Sequence, residues 1–207
     1  MTVAFPERIA IATRNAHKLR EIGRICADWP VVWLTVENHE GPWPDVEEPH
    51  AAYLENALAK ACEVAAALGA PAVADDSGIE VDALGGAPGP RSARFAGEDA
   101  TDERNLDALL RALRGVPAGG RTARYRCVAA IAWPDGREAW AEGTCEGTLT
   151  PRPRGSGGFG YDPAFVPEGW DRTMAELADG EKDRISHRGR AFRSLRDRVA
   201  AGPPMPP

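Results

Sequence analysis

Along most of the chain, short apolar runs alternate with longer stretches in which apolar residues return every three or four positions. Residues 8–13 (RIAIAT) make a compact run that predicts a buried strand. Asn15 then offers an N-cap, and Leu19, Ile22 and Cys26 follow at helical spacing, predicting a helix over residues 16–27. Residues 31–36 (VVWLTV) read as a second strand, and the acidic, proline-containing stretch 37–49 has no period and reads as a loop. Residues 50–68 are alanine-rich, with Tyr53, Leu54, Ala57, Leu58 and Ala61 in one apolar stripe; this is the clearest helix, ended by Gly69 and Pro71. PAVADD, residues 71–76, predicts a strand that ends on two carboxylates, and residues 85–97 a loop punctuated by glycine and proline. A helix is expected over 101–113 with Leu106, Leu109, Leu110 and Leu113 turned inward. Two long strands, 121–133 and 137–150, are joined by a Pro134-Asp135-Gly136 turn. After the glycine-rich GSGGFGYDP (155–163) and AELADGEKDRISHRG comes a basic helix to residue 199. Strands alternating with helices, plus one long hairpin, predict an α/β fold with a mixed sheet. No internal repeat or linker interrupts it, and the proline-rich residues 201–207 are expected to be a loose tail.

Length and charge narrow the reading. The 207 residues suit one domain, or one domain of two lobes spanning 1–200, able to bury about 70% of its unfolded surface. The formal net charge of −6 leaves no cationic excess to coat a polyanion, so a duplex nucleic-acid partner is disfavoured. Cys26, Cys62, Cys127 and Cys145 are too far apart in sequence for a zinc knuckle and read as reduced, mostly buried thiols. The N-terminal residues lack the basic start and long apolar run of a signal peptide, and no apolar run nears the ~20 residues of a membrane span, so the expected location is the cytoplasm.

Four segments carry candidate chemistry. TRNAHK (13–18) follows a strand and opens a helix, where backbone N–H groups attract anions; Thr13 and Asn15 add hydrogen bonds and Lys18 a positive charge. It is not a Walker A loop, and the plainer alternative is an ordinary cap followed by an exposed lysine. The acidic residues are Glu47-Glu48 in the loop and Asp75-Asp76 at the predicted strand end. Mg²⁺ takes one or two carboxylates together with substrate phosphates. Adjacent strand residues face opposite ways, so Asp75 and Asp76 are expected to have different jobs. In GSGGFGYDPAF the glycines permit close backbone approach, Phe159 and Tyr161 offer faces for a base, and Asp162 before Pro163 can fix a turn; a tight turn alone is the alternative. EKDRISHRG (181–189) concentrates Lys182, Arg184, His187 and Arg188, and Arg188 suits a planar two-point contact; a solvated basic segment is the alternative.

Together these segments resemble the inosine triphosphate pyrophosphatase family, hydrolases of non-standard purine nucleoside triphosphates. The matching stretches are ATRNAHKLREI, LENALAKA, ADDSGIEVDALGGAPGPRSARFAG, FGYDPAFVPEG, TMAEL and EKDRISHRGRAF, in the family's order from Ile9 to Phe192. The resemblance implies an elongated α/β fold with an active-site cleft between two lobes, a homodimer, and Mg²⁺ as cofactor. It assigns Thr13, Arg14, Asn15, Ala16, His17 and Lys18 to the phosphate-binding segment, with Lys18 also acting in catalysis. Asp76 is the implied general base, Ser77 touches substrate, and Glu47 or Glu48 with Asp76 holds the metal. Phe159, Gly160, Tyr161 and Asp162 enclose the base, Lys182 contacts substrate, and His187 with Arg188 recognises the purine. The chain departs from the family at Arg14, where many members have glycine, at His17, at Arg91, and at Pro49-His50, which leaves the choice between Glu47 and Glu48 open.

The expected reaction is attack of water on the α-phosphorus of ITP, dITP or XTP, releasing pyrophosphate, with Asp76 taking a proton and the metal and lysines neutralising phosphate charge. Two other readings compete: a pyrophosphatase for modified pyrimidine or methylated nucleotides, and a nucleotide-binding protein without catalysis. The only partners expected are the nucleotide and a second copy of the chain, with no nucleic acid and no membrane.

Overall fold

The computed structural model describes residues 5–46 and 50–202. Glu47, Glu48 and the end of the proline-rich tail therefore lie outside the described residues. The elements run β1 (Arg8–Ile11), α1 (Ala16–Ile25), β2 (Val32–Leu34), α2 (Tyr53–Leu68), β3 (Ala72–Val81), α3 (Asp102–Ala112), β4 (Thr122–Ala132), β5 (Glu138–Leu149), β6 (Phe165–Pro167), α4 (Asp179–Ile185) and α5 (His187–Ala200). The six strands form one sheet in the order β2-β1-β3-β4-β5-β6. β1 pairs in parallel with β2 and β3, while β5 pairs antiparallel with β6, so the sheet is mixed and the fold is α/β as expected.

The chain divides into two compact units. The first takes the residues up to Asp76, Cys127–Gly143, and the chain from Arg188 onward. The second takes Ser77–Arg126 and Thr144–His187.

In the first unit, strand alternation sorts side chains by size. Ile9, Ile11, Val73, Cys127, Ala129, Ile131 and Trp133 face α1 and α5, where Leu19, Ile22, Cys26, Phe192, Leu195 and Val199 complete a core. Ala10, Ala12, Ala72, Ala74, Val128, Ala130 and Ala132 face the other way, onto Tyr53, Ala57, Ala61, Val64 and Ala65 of α2. The alanines on both partners let α2 approach the sheet closely. The strands are covered on both faces, which is why they read as continuous apolar runs.

In the second unit, Ile79, Val81, Ala123, Tyr125, Cys145 and Leu149 point into a core shared with Leu106, Leu109 and Leu113 of α3. Residues between them in register carry charge. Arg124 bonds Asp82 at 2.8 Å and Glu146 at 3.1 Å, and Arg126 lies 3.6 Å from Glu80. These cross-strand ion pairs form a polar outer face.

Several expectations change in detail. β3 does not end on the acidic pair but runs on to Val81, because Ile79 and Val81 continue the alternation and bury themselves against α3. Asp75 and Asp76 are thus interior to a strand. The alanine-rich helix begins at Tyr53, since the side chain of Asn56 holds the backbone of His50. The 85–97 loop contains a 3-10 segment, Gly89–Arg94. The basic C-terminal region forms two helices, α4 and α5, parted by Ser186 in an extended conformation. β6 was not legible as a separate strand.

Candidate active site

The alternation that sorts the first unit's core also separates the two carboxylates. Val73 and Asp75 share the face toward α1 and α5; Ala72, Ala74 and Asp76 share the face toward α2. Their surroundings differ accordingly.

Asp75 is fully buried, and its Oδ2 accepts from Arg188 Nε at 3.2 Å and Nη2 at 3.0 Å. Arg188 Nη1 reaches Glu21 Oε2 at 2.5 Å, and Lys18 Nζ lies 3.3 Å from Asp75 Oδ2. Burial alone would raise the Asp75 pKa. The Arg188 guanidinium, then Lys18 and Lys60, more than offset this and hold its carboxyl well below the usual carboxylate range. Burial likewise opposes the charge on Arg188, and Asp75 and Glu21 restore it. Cys127 Sγ sits 3.8 Å from Asp75 Oδ2, and burial followed by that carboxylate pushes its thiol pKa up, so it stays protonated. Lys18, Lys60 and Arg188 thus gather their positive charge around Asp75 beside the N-terminus of α1.

That N-terminus is built by its own sequence. Asn15 Oδ1 accepts from the N–H groups of His17 (2.9 Å) and Lys18 (3.1 Å), and Thr13 Oγ1 accepts from the N–H of Asn15 (3.2 Å). Ala16 opens the helix. His17 is exposed and meets Arg20. Arg14 points the other way: its Nη2 donates to the Trp43 carbonyl at 2.7 Å and its Nε lies 3.6 Å from Asp45, in the loop that leads to Glu47-Glu48. A cation-rich helix terminus of this kind attracts phosphate oxygens.

Asp76, on the α2 face, is buried, and its Oδ2 accepts from Asn56 Nδ2 at 2.9 Å. The same amide brackets the backbone of His50, donating to its carbonyl at 3.1 Å and accepting from its N–H at 3.0 Å. Asn56 therefore pins the residue that follows the acidic loop to the carboxylate of Asp76. Among the described residues no group of three His, Cys, Asp or Glu side chains is placed to hold a metal ion. The donor set still suits Mg²⁺, which needs one or two carboxylates and completes its shell with phosphate and water oxygens.

The second unit holds the other candidates. Lys182, on α4, is buried and forms a 2.5 Å ion pair with Asp162 Oδ2. The N–H of Phe159 donates to the same oxygen at 2.9 Å. The turn depends on Gly158: its φ is +68°, and a Cβ there would collide with Asp162 Oδ2. Lys182 Nζ stands 5.2 Å from the centre of the Phe159 ring. Gly160 N donates to Asp102 Oδ2 at 2.9 Å. Tyr161 lies in the core, with its hydroxyl donating to the Ser92 carbonyl at 2.7 Å. His187 is buried and stacks on Tyr125, the rings 4.5 Å apart and 8° from parallel. Ser77 opens the unit, half-buried on β3.

The structure thus groups Lys18 with Asp75 and Arg188, Asp76 with Asn56, and Lys182 with Asp162 and Phe159. Sequence reasoning did not single out Glu21, Asn56, Lys60 or Tyr125. For the middle two a signal existed, since Asn56 and Lys60 stand four apart on the buried face of an alanine-rich helix, where a polar group needs a partner.

The fold and these groups define the class: an α/β protein with a cation-rich helix terminus, a buried carboxylate held by an asparagine of α2, and a buried lysine–aspartate pair. Within that class the chain belongs to the Ham1 family, whose model matches residues 9–198. It is 50% identical over 189 residues to a dITP/XTP pyrophosphatase of Streptomyces avermitilis, covering 91% of this chain and 94% of that one. A dITP/XTP pyrophosphatase of Geobacillus kaustophilus is 48% identical over 189 residues, with 91% and 92% coverage. Among solved structures, a HAM1 protein from Coxiella burnetii matches with a TM-score of 0.83 at 36% identity, covering 94% of this chain and 99% of that one. The nucleoside-triphosphatase / dITP/XTP pyrophosphatase from Mycobacterium abscessus matches with a TM-score of 0.71 at 41% identity, with 91% and 98% coverage.

Proposed function

We propose that the chain hydrolyses non-standard purine nucleoside triphosphates (ITP, dITP and XTP) to the monophosphate and pyrophosphate, with Mg²⁺, and so clears them from the nucleotide pool. The observation that carries this reading is the buried Lys182–Asp162 pair. A 6-oxopurine presents an acceptor, O6, beside a donor, N1–H. An ammonium only donates and a carboxylate only accepts, so Lys182 and Asp162 match that edge. Adenine presents the reverse pattern, an amino donor beside an acceptor nitrogen, and would set like against like. A mismatch of this kind leaves buried polar groups unpaired and discriminates by about 10⁴. Guanine shares the 6-oxo edge, so its exclusion rests on its 2-amino group. The relatives named dITP/XTP pyrophosphatase, matched over nine-tenths of the chain, support the same substrate class.

Thr13 through Lys18 receive the phosphates, with Lys18 held by Asp75 and donating to the leaving pyrophosphate. Asp76, oriented by Asn56, takes a proton from the attacking water. Ser77 touches the substrate beside it. Glu47 or Glu48, with Asp76, would hold Mg²⁺, which supplies charge neutralisation to the polyphosphate when bound. Phe159 covers the base, the Gly160–Tyr161 turn shapes that wall, and His187 borders it. Arg188 has its guanidinium committed to Glu21 and Asp75, so its contribution to purine recognition comes through its backbone and through the placement of Lys18.

We place the protein in the cytoplasm, as a homodimer. No helix among the described residues is long and apolar enough to cross a membrane, and all four cysteines are free, which suits a reducing compartment. Pyrophosphate release from ITP, dITP, XTP, GTP, ATP and dTTP, with and without Mg²⁺, tests the reading. ITP and XTP are expected to turn over at least 100-fold faster than ATP, and only with the metal. Equal rates for ATP and ITP, or undiminished release in a chelator, would overturn it.

A further inference from the structure

We infer that Tyr125 is a positioning residue for base recognition, locking the Asp162 carboxylate and the His187 ring into one fixed arrangement. This rests on the assignment of Asp162, Lys182 and His187 to the purine. Tyr125 sits on the inward face of β4, buried in the second unit's core, where its ring packs 4.7 Å from that of Phe165. A phenylalanine would fill that space equally well. The hydroxyl is a buried polar group and must be bonded to be tolerated. It donates to Asp162 Oδ1 at 3.2 Å.

The two oxygens of Asp162 are thereby held from different elements. Oδ2 takes Lys182 and the N–H of Phe159; Oδ1 takes Tyr125. A carboxylate has about four acceptor positions, so Oδ1 can take a further donor beside the phenol. With one side of Oδ1 fixed by the phenol, the carboxylate cannot rotate about its terminal bond, a torsion that is otherwise soft. Donor and acceptor are then presented to a 6-oxopurine at a set spacing. The opposite function of the ring is the near-parallel stack on His187 at 4.5 Å, which fixes the imidazole plane. One side chain on β4 therefore links the FGYD turn and the SHR segment, which are distant in sequence.

Tyr125→Phe keeps the ring and its packing and removes only the hydroxyl. The expected result is a higher KM for ITP and a ratio of kcat/KM for ITP over ATP reduced about tenfold, the value of one such hydrogen bond, with the thermal midpoint near that of the wild type. Tyr125→Leu also removes the stack and is expected to lower the ratio further. Dissociation constants for IMP and AMP, read by calorimetry, should shift by the same ratio and do not depend on the chemical step. In an Asp162→Ala background, which leaves no acceptor for the phenol, Tyr125→Phe should have no further effect on the ratio, because its target is gone. An unchanged ITP/ATP ratio in Tyr125→Phe, or a full second loss in the Asp162→Ala background, would overturn the inference. A wild-type protein that released no pyrophosphate from ITP would instead overturn the functional reading beneath it.

Discussion

Arg188 shows how a single side chain is committed by its neighbours. Its guanidinium lies between Glu21 and Asp75, and the side chains are 2%, 6% and 0% exposed. Removing one member of such a group strands charge in the interior, which costs about 3–5 kcal/mol. Arg188→Met is therefore expected to lower unfolding free energy by about that amount, read from urea titration. Arg188→Lys should recover little of it, because an ammonium cannot bridge two carboxylates as a planar fork does. Asp75 adds a pH signature. Its carboxyl is held below the ordinary range in the folded state, so the stability it contributes is present above the unfolded value of about 4 and is lost as pH falls further. Between neutrality and that value its contribution is constant. Asp75→Asn should remove that part of the acid slope, measured as unfolding free energy at a series of pH values; an identical slope in wild type and variant would contradict it.

At the scale of elements, most starts and stops were legible because their signals are local. Asn15 caps α1, Thr101 caps α3, and Gly69 ends α2 in the left-handed conformation. The errors fell where a distant partner decided the outcome. β3 continues beyond the acidic pair because α3 covers Ile79 and Val81, and the start of α2 is set by the contact between Asn56 and His50. The glycine-rich turn is a case in which local and distant needs coincide. Gly158 has positive φ, and its missing Cβ leaves room for the Asp162 carboxylate. Gly158→Ala should cost about 1–2 kcal/mol of backbone strain and displace Asp162, lowering kcat/KM for ITP more than for ATP. Gly69→Ala, at a helix end with open space around it, carries the same strain without that displacement and serves as the control; a selectivity change of equal size in both variants would refute the role given to Gly158.

For the whole molecule, the divisions between the two compact units fall between Asp76 and Ser77 and between His187 and Arg188, inside two of the segments that carry the candidate chemistry. Residues adjacent in sequence there belong to different cores. A ligand that binds the folded chain stabilises it by mass action. In Asp76→Asn, where turnover is expected to fall by about 10²–10⁴ while the fold persists, ITP with Mg²⁺ at about 100 times its Kd should stabilise by about 2.7 kcal/mol. ATP at the same concentration should give far less. Thermal midpoints with each nucleotide check this, and equal shifts for both would contradict the base assignment.

By itself the sequence determined what local rules govern: the α/β class, the helix caps, the opposite facing of Asp75 and Asp76, and the polar and glycine-rich segments that carry the candidate chemistry. Those follow from periodicity, side-chain chemistry and backbone geometry within a few residues. Only the tertiary structure decided which charges neutralise one another, that Arg188 is spent on Glu21 and Asp75, that Lys182 pairs with Asp162, and that Asn56 and Tyr125 hold the carboxylates in place. Each of those pairings joins residues far apart in the chain, and burial removes the water that would otherwise let every charge stand alone.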